Sequence, residues 1–551
     1  MLTLLSFRRR AALWLACGAA LVLSTFLNSG ACGHAQSAAA AAVDRGRILL
    51  VLPFDNRTGQ PNLEWMREAA ADLLGSRFRS AGFAPMSRAD RMYALDHLGL
   101  PEGFQPSRAS SIKLAQTLDA DSIVVGSFSL QENGVGGNDL VAEAQVVNVP
   151  HLHMTPPVTA RGPLSDMIRI FDTLAWELTR QLDPSFGVAE QTFIAAGQSL
   201  RLDAFEQYIR GITEPDQAER ERHLQAAVKL SPGFSPAWMA LGREEYNTQQ
   251  YGQAAQAFAR VDPSGPDALE AGFDRGLSFL FSGDYPAAET SFAVVARSLP
   301  LAEVVNNEGV AISRQGHDAT SLFVQATADD PGNADYHFNL AVSLKRHGNA
   351  SAAQNELAQC LKLRPSDSEA QALEDAWKHP EAVTASSSAD ANAAPDPLER
   401  IVRTFDANAF RQAAQMLDQM DAARMAALSP RERAQKLCAQ AKGYLDRGLV
   451  LEAERLYHEA ASADPDSAQA YIGLARVRQR SGDLAGARQQ AEDSLQVAPS
   501  AEAYVLMAQL DLAANRLPQA ESEAGSALKL QPADTAAQDV LRQILARTGQ
   551  K

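Results

Sequence analysis

Between about residues 235 and 534, the chain repeats one arrangement of apolar, small and polar positions in a frame of about 34 residues. Apolar positions three and four residues apart predict two amphipathic helices in each copy. Proline has no N–H to donate and therefore predicts where each copy ends. The clearest copy carries Trp238, Leu241, Gly242, Ala254, Phe258, Val261 and Pro266.

The copies fall into two blocks, at residues 200–377 and 398–551. Further copies begin near residues 269, 334, 434, 468 and 501, and they end on Pro300, Pro365, Pro465, Pro499 and Pro532. Residues 201–234 and 303–333 are weaker copies, residues 398–430 are helical but degenerate, and residues 538–545 predict a helix that caps the last repeat. Residues 378–397 are rich in alanine, serine and proline and predict a disordered linker.

This pattern resembles the tetratricopeptide repeat. A pair of short helices cannot bury a core alone, so small residues allow close approach, aromatic residues fill the gap to the next pair, and stacking completes the core. The resemblance implies an all-α solenoid whose first helices line a concave surface for extended or helical peptides. The lysine and asparagine set that clamps a terminal carboxylate in chaperone-binding members is not reproduced here.

Residues 44–185 have a different periodicity and predict a separate α/β domain. Residues 47–54 and 121–128 read as buried strands, and residues 140–149 alternate as a further strand would. Residues 62–82 and 163–182 have apolar positions at helical spacing. Alternating strands and helices indicate a mixed sheet covered by helices.

Two stretches of this domain resemble the TolB-like amino-terminal domain, which is related to curli-secretion accessory domains. The first strand ends in Leu52-Pro53-Phe54 with Gly59 after it, and residues 118–127 resemble a later family strand, with Asp119 where the family has glycine. The family often joins this domain to tetratricopeptide repeats. The resemblance implies an envelope protein in an assembly and transfers no catalytic residue.

The amino-terminal 35 residues predict export. Arg8, Arg9 and Arg10 precede an apolar stretch, and small residues lead to a cleavage site after Ala35. The alternatives are an uncleaved membrane anchor and a lipoprotein acylated at Cys32. All three place the remaining chain outside the cytoplasm, and membrane association would come through this amino terminus.

Composition and motifs point away from nucleic acid and catalysis. The net charge is −16, from 50 basic and 66 acidic residues, which disfavours a nucleic-acid partner. The chain has no GxSxG, HExxH or phosphate-loop motif, so we predict neither an enzyme nor a cofactor. His151 and His153 read as loop residues rather than a metal site, the glycines at 134–137 as a hairpin turn, and Cys360 and Cys438 as buried fillers.

The predicted partner site is the concave face of the repeats. Apolar and basic side chains on the first helices would suit peptides with hydrophobic anchors and acidic groups. The residues at these positions are Met239, Arg243, Tyr246, Phe273, Phe338 and Lys345 in the first block and Lys442, Arg476 and Gln479 in the second.

The sequence therefore predicts a non-enzymatic scaffold of the bacterial cell envelope that binds protein or peptide partners. One alternative is a ligand sensor or enzyme whose site lies at the carboxyl ends of the strands, near residues 54–56 and 126–128. The other alternative is a lipoprotein accessory subunit of a secretion machine.

Overall fold

The computed structural model describes residues 48–101, 107–134, 137–197, 200–378, 397–403, 420 and 423–548. The predicted leader at 1–35, with Cys32 and the cleavage site after Ala35, lies outside these residues, as does most of the predicted linker at 378–397. Within the described ranges, every helix falls short of the length or the apolar character that a membrane span needs. The predicted fold class is confirmed, because a mixed sheet with helices precedes a solenoid of paired helices.

Seven strands of the described chain form one mixed sheet. They are β1 Ile48–Val51, β2 Asp55–Asn56, β3 Ala84–Pro85, β4 Ser122–Glu132, β5 Asn138–Asn148, β6 His153–Met154 and β7 Val158–Pro163. The spatial order is β3-β1-β4-β5-β6, with β2 beside β4 and β7 beside β5. β1 runs parallel to β3 and β4, whereas β4 and β5 form a long antiparallel hairpin that pairs Val124 with Val146.

Helices cover both faces of this sheet. They are α1 Met66–Ser80, α2 Arg88–His97, α3 Arg108–Thr117 and α4 Met167–Leu182. Leu49 and Val51 pack in one cluster with residues of α1 and α4, and Leu50 and Leu52 pack in another with residues of α2 and α3. Because successive side chains of a strand point to opposite faces, an uninterrupted apolar strand requires cover on both sides.

Paired helices make up the rest of the described chain. A short helix, α5 Glu190–Ala195, leads out of the sheet domain. The first block contains α6 Leu202–Thr213, α7 Gln217–Leu230, α8 Ser235–Asn247, α9 Tyr251–Phe258, α10 Ala268–Ser282, α11 Tyr285–Ser298, α12 Ala302–Arg314, α13 Thr320–Asp329, α14 Ala334–Arg346, α15 Ala350–Leu363 and α16 Ser368–Lys378. The second contains α17 Pro430–Asp446, α18 Val450–Ala463, α19 Ala468–Arg480, α20 Leu484–Val497, α21 Ala501–Ala513, α22 Leu517–Leu530 and α23 Thr535–Thr548.

Close packing of the two helices within a repeat depends on the glycine at the small-residue position of the first helix. A Cβ atom added to Gly242 would lie 2.7 Å from the ring of Phe258, and one added to Gly276 would lie 2.7 Å from the ring of Phe292. No side chain fits in that space without moving the ring or separating the helices. The aromatic residue of the second helix therefore fills the room that the first helix leaves free.

The sheet domain and the first repeat share one core. Phe171 of α4, Phe193 of α5 and Phe205 of α6 belong to the same buried cluster. The hydroxyl of Tyr208 also donates a hydrogen bond to Asp72 of α1 at 3.3 Å. The solenoid is thus packed directly against the face of the sheet that α1 and α4 cover.

The second block packs against the connection around α5. Glu454 of α18 is fully buried, and its Oε1 accepts hydrogen bonds from the main-chain N–H of Ala189 at 3.2 Å and from Nε of Arg478 at 3.2 Å. Leu451, one turn earlier, lies in the core cluster of the sheet domain. The start of the second block is therefore held beside the start of the first.

The two cysteines of the described chain are buried and free. Burial raises the pKa of the Cys360 thiol to about 11, and burial also raises the pKa of Cys438. Because the thiolate is the reactive form, neither residue should react with a thiol-modifying disulfide reagent at pH 8 in the folded protein. The test uses the full chain with Cys17 and Cys32 changed to serine. Labelling is expected only after denaturation, whereas an added cysteine at exposed Ser522 should react at once.

Candidate peptide-binding groove

A stretch of the chain itself, residues 397–403, lies against the first helices of the first block. In the sequence, these residues stand at the end of the predicted linker and the start of the predicted second block. In the structure they contact α12 and α14, the first helices of two consecutive repeats, with α16 beyond them. The concave face of the first block is therefore occupied by a segment of the same molecule.

Asparagine side chains hold the main chain of this segment. Asn339 accepts a hydrogen bond from the N–H of Arg400 at 2.6 Å and donates one to the carbonyl oxygen of Arg400 at 2.8 Å. Asn307 does the same for Val402, at 3.0 and 2.8 Å. Asn306 joins the two by donating to the Arg400 carbonyl at 3.2 Å and accepting from Asn339 at 2.8 Å. These bonds recognise alternate residues of an extended chain whatever their side chains are.

The side chain of Arg400 lies in an acidic pocket. Its guanidinium donates to both oxygens of Asp367, at 2.6 and 2.9 Å, to Asp335 at 2.9 Å and to Glu369 at 3.0 Å. The same group lies over the ring of Phe338, 3.7 Å from the ring centre. A planar cation with several donors matches this combination of carboxylates and an aromatic face.

The neighbouring residue, Glu399, lies in a basic pocket and is almost fully buried. Its carboxylate pairs with Arg346 and accepts a hydrogen bond from the Ser313 hydroxyl. Arg314 donates to the main-chain oxygen of Glu399 at 3.1 Å, and Arg346 donates to that of Pro397 at 2.7 Å. Pockets of opposite charge thus receive two consecutive residues.

The last residues of the segment make apolar and stacking contacts. Ile401 packs against the cluster around Phe273 and Leu340, and Val402 packs against the cluster around Tyr336. The guanidinium of Arg403 lies 4.9 Å from the ring centre of Phe281. The side chain of Leu398, by contrast, is 62% exposed.

Ionisation favours the bound arrangement at neutral pH. The hydrogen bond from Arg400 is the main reason that the pKa of Asp367 lies below its ordinary value. Burial raises the pKa of Asp335, but hydrogen bonds from Arg364 and Arg400 outweigh it, and the net shift is downward. Both carboxylates are therefore charged when they hold Arg400.

The predicted concave residues of the first block differ in their surroundings. Met239 and Phe273 are buried between successive repeats, with Ala271 and Val304 among their respective neighbours. Phe338 is also buried, and Arg400 covers its ring. The structure thus brings Phe338 into direct contact with the segment.

The other predicted residues of this block are more exposed. Arg243 pairs with Glu270 and lies 3.9 Å from Asp274, and burial raises the pKa of that aspartate to about 7. Tyr246 packs against Phe281, the ring that Arg403 covers. Lys345 lies 5.2 Å from the ring centre of Trp377 at the end of the block.

In the second block, Arg476 and Gln479 line one cavity of about 710 Å³. Arg476 pairs with Glu502 at 2.7 Å, and Lys442 pairs with Asp446, which also lines this cavity, at 2.7 Å. Val505 and Leu506 add an apolar part to an otherwise polar lining. The described residues thus form a second, mixed-charge concavity.

The alternative site at the carboxyl ends of the strands is filled by side chains. Phe54 and Phe128 are buried, and Phe54 packs edge-on against Phe171, with 5.7 Å between the ring centres. His151 and His153 are exposed, and no cluster of potential metal ligands occurs in the described residues. Gly134 and Gly137 lie between the end of β4 and the start of β5, and residues 135–136 are outside the described chain.

The segment and the asparagines that bind it were not predicted, but the repeat frame contains a signal for the asparagines. Asn307 lies two residues before Gly309, and Asn339 lies two residues before Ala341, so both occupy the same position of their repeats. The second block has Ala439, Gly473 and Leu506 at this position. A polar side chain that recurs at one frame position on the first helices marks a row facing the groove.

Each block contains a stretch that matches a known repeat family. Residues 313–376 and 438–503 match two models of the tetratricopeptide repeat, which confirms this repeat in both blocks. Proteins built from this repeat act as protein–protein interaction scaffolds. No curated protein sequence matches the chain.

Among solved structures, the chain is similar to YrrB, described as a tetratricopeptide repeat protein with an unusual peptide-binding site. The identity is 16% and the TM-score 0.28, over 37% of this chain and 99% of YrrB. It is similar to the first repeat domain of Spaghetti (RPAP3) bound to an HSP90 peptide, at 22% identity and TM-score 0.21, over 22% and 95%. It is also similar to the LpoB carboxy-terminal domain from Salmonella enterica, at 21% identity and TM-score 0.18, over 22% and 84%.

Proposed function

We propose that this protein is a non-enzymatic scaffold of the bacterial cell envelope, which binds protein or peptide partners on the concave faces of its tetratricopeptide repeats. The observation that supports this function most strongly is the way in which residues 397–403 lie in the first block. Asn307 and Asn339 bind both the N–H and the carbonyl group of a peptide residue. A groove with such side chains is suited to extended peptides.

The second block offers an additional face for a partner. The cavity around Arg476 and Gln479 has charges of both signs and an apolar part at Val505. Charged groups at the rim would guide association, and the apolar part would supply affinity. The two blocks would therefore bind different partner segments, because their first helices carry different side chains.

The envelope location rests on the sequence. The leader at residues 1–35 would export the chain, and it would be cleaved after Ala35, retained as an anchor or acylated at Cys32. The resemblance of residues 44–185 to the TolB-like domain supports a place in an envelope assembly. In that assembly, the sheet domain would hold the solenoid in a fixed position, since the two parts share a hydrophobic core.

Site-specific photo-crosslinking in intact cells tests this function. A photoreactive residue is placed at Lys345 in the first block, at Gln479 in the second, and at Val294 as the control. Val294 is 47% exposed and lies on the second helix of its repeat. We expect defined crosslinked partners from Lys345 or Gln479 in the envelope fraction and none from Val294. Equal products from all three positions, or no products from the groove positions, would contradict the proposal.

A further inference from the structure

We propose that residues 397–403 are a tethered competitor for the first block, and that the external ligand of this groove is an extended peptide in which an acidic residue precedes arginine and two aliphatic residues. This inference rests on the proposed function and specifies both the ligand class and the regulation of one of its sites. It follows from the separate recognition of the main chain, the two charged side chains and the aliphatic pair.

The arginine requirement comes from the acidic pocket. Asp367 binds the guanidinium of Arg400 through both oxygens, and the guanidinium carbon lies over the ring of Phe338, 3.7 Å from the ring centre. A lysine ammonium has no planar face and cannot bind a carboxylate in this paired geometry. The pocket therefore selects arginine over lysine, and it excludes acidic residues by repulsion from its carboxylates.

The order of the charges comes from the basic pocket beside it. Arg314, Arg346 and Ser313 surround the position of Glu399. A peptide with the reverse order would place arginine among arginines and glutamate among carboxylates, while the main-chain bonds would stay in register. The two pockets thus read one direction and one register of the peptide.

The competition with external peptides follows from the way in which residues 397–403 fill the groove. Asn306, Asn307 and Asn339 are fully buried, and their hydrogen bonds run to the segment or to one another. An external peptide that makes the same bonds can replace the segment, but it must compete with a ligand on the same chain. Occupation of the groove by residues 397–403 therefore lowers the apparent affinity for external peptides. Weakly binding peptides are excluded, whereas peptides that fit the two charged pockets better can replace the segment.

The sequence also indicates that recognition of a peptide main chain by asparagines is restricted to the first block. The second block has Ala439, Gly473 and Leu506 where the first has its asparagines, and none of these side chains can bind a peptide main chain. A partner of the second block would not be affected by release of residues 397–403. This difference gives the experiment an internal reference.

The probe is a fluorescent synthetic peptide, acetyl-Pro-Leu-Glu-Arg-Ile-Val-Arg-amide, whose binding to the full chain is measured by anisotropy. Arg400→Glu places a negative charge in the acidic pocket and should release the segment, so the peptide should bind about tenfold more tightly than to the wild type. Adding Asn339→Ala to this variant should remove the gain. Lys362→Glu, the same charge change at an exposed residue of α15, should bind like the wild type.

A second measurement requires no variant. Saturating peptide should accelerate amide hydrogen exchange at Arg400 and Val402 of the wild-type chain, because their N–H groups lose their acceptors when the segment leaves. The proposal is overturned if folded Arg400→Glu binds the peptide no better than the wild type and exchange at these amides is unchanged. It is also overturned if a peptide with glutamate in place of its first arginine binds equally well.

These outcomes separate the inference from the proposed function. Crosslinked partners at Gln479 together with a failed peptide experiment would leave the scaffold in place and reject the tethered competitor. A successful peptide experiment without any crosslinked partner in the envelope would support the competitor and count against the scaffold.

Discussion

Arg77→Ala is expected to lower the free energy of unfolding of the sheet domain by about 3–5 kcal/mol, one of the largest effects of any single substitution in this protein. Nε of Arg77 on α1 lies 2.6 Å from Oδ1 of Asp172 on α4, and the Asp172 side chain is 1% exposed. Without the arginine, the carboxylate stays buried between two helices with no opposite charge. Thermal and chemical unfolding of the full chain, followed by circular dichroism, measure the loss.

The pH dependence of this effect has a definite sign. Burial raises the pKa of Asp172 above its ordinary value, and Arg77 counteracts that rise only in part. The contribution of Asp172 to stability is present in full below pH 3.8 and is lost as the pH rises through its raised pKa. Removing Arg77 raises this pKa further, so the destabilisation should be larger at pH 8 than at pH 5.

An exposed ion pair of the same domain is the matched control. Arg161 lies 3.0 Å from Asp139, and its side chain is 59% exposed. Because water screens such pairs, Arg161→Ala should leave the stability close to that of the wild type. Equal losses for the two variants would show that the pair between α1 and α4 is not the buried contact described above.

The second large effect is expected for the asparagines of the first block. In the Arg400→Glu chain, the combined changes Asn307→Ala and Asn339→Ala should weaken binding of the seven-residue peptide by about a hundredfold, or about 3 kcal/mol. Each asparagine forms two hydrogen bonds with one peptide residue, so four bonds are lost together. The affinity is measured by anisotropy with the same peptide.

Gln253→Ala is the control for this pair of substitutions. Gln253 is an exposed amide on α9, the second helix of an earlier repeat, and its replacement should leave the affinity unchanged. Unchanged melting temperatures would show that the loss lies in binding rather than in folding. A loss of less than about threefold in the double variant would mean that side-chain pockets, not main-chain bonds, hold the peptide.

The repeats could be predicted from the sequence because their packing is local and periodic. Gly242 and Phe258 stand at fixed positions of one frame, and they meet in the structure as the frame requires. The first strand was equally readable, since residues 48–51 are apolar at every position and residues 49–51 are buried, with side chains in the clusters on both faces of the sheet. In both cases, a pattern within a few tens of residues determines which side chains are buried.

The groove was only partly predictable, because its occupant follows no period. Met239 and Phe273 stand on the first helices as predicted but pack between repeats, since a bulky apolar side chain there reaches the next pair of helices. Residues 397–403 look like the end of a linker, and the partners of their hydrogen bonds lie 31 to 95 residues away in sequence. Only the three-dimensional arrangement places Arg400 beside Asp367.

Amide hydrogen exchange along residues 400–403 of the wild-type chain, resolved residue by residue by NMR, tests the central claim most directly. The N–H groups of Arg400 and Val402 are bound by asparagines, whereas within the described chain those of Ile401 and Arg403 have no acceptor. We predict alternating protection, slow at residues 400 and 402 and fast at 401 and 403, which disappears in the chain with Asn307→Ala and Asn339→Ala. Uniformly fast exchange at all four residues of the wild type would contradict recognition of an extended peptide by this groove.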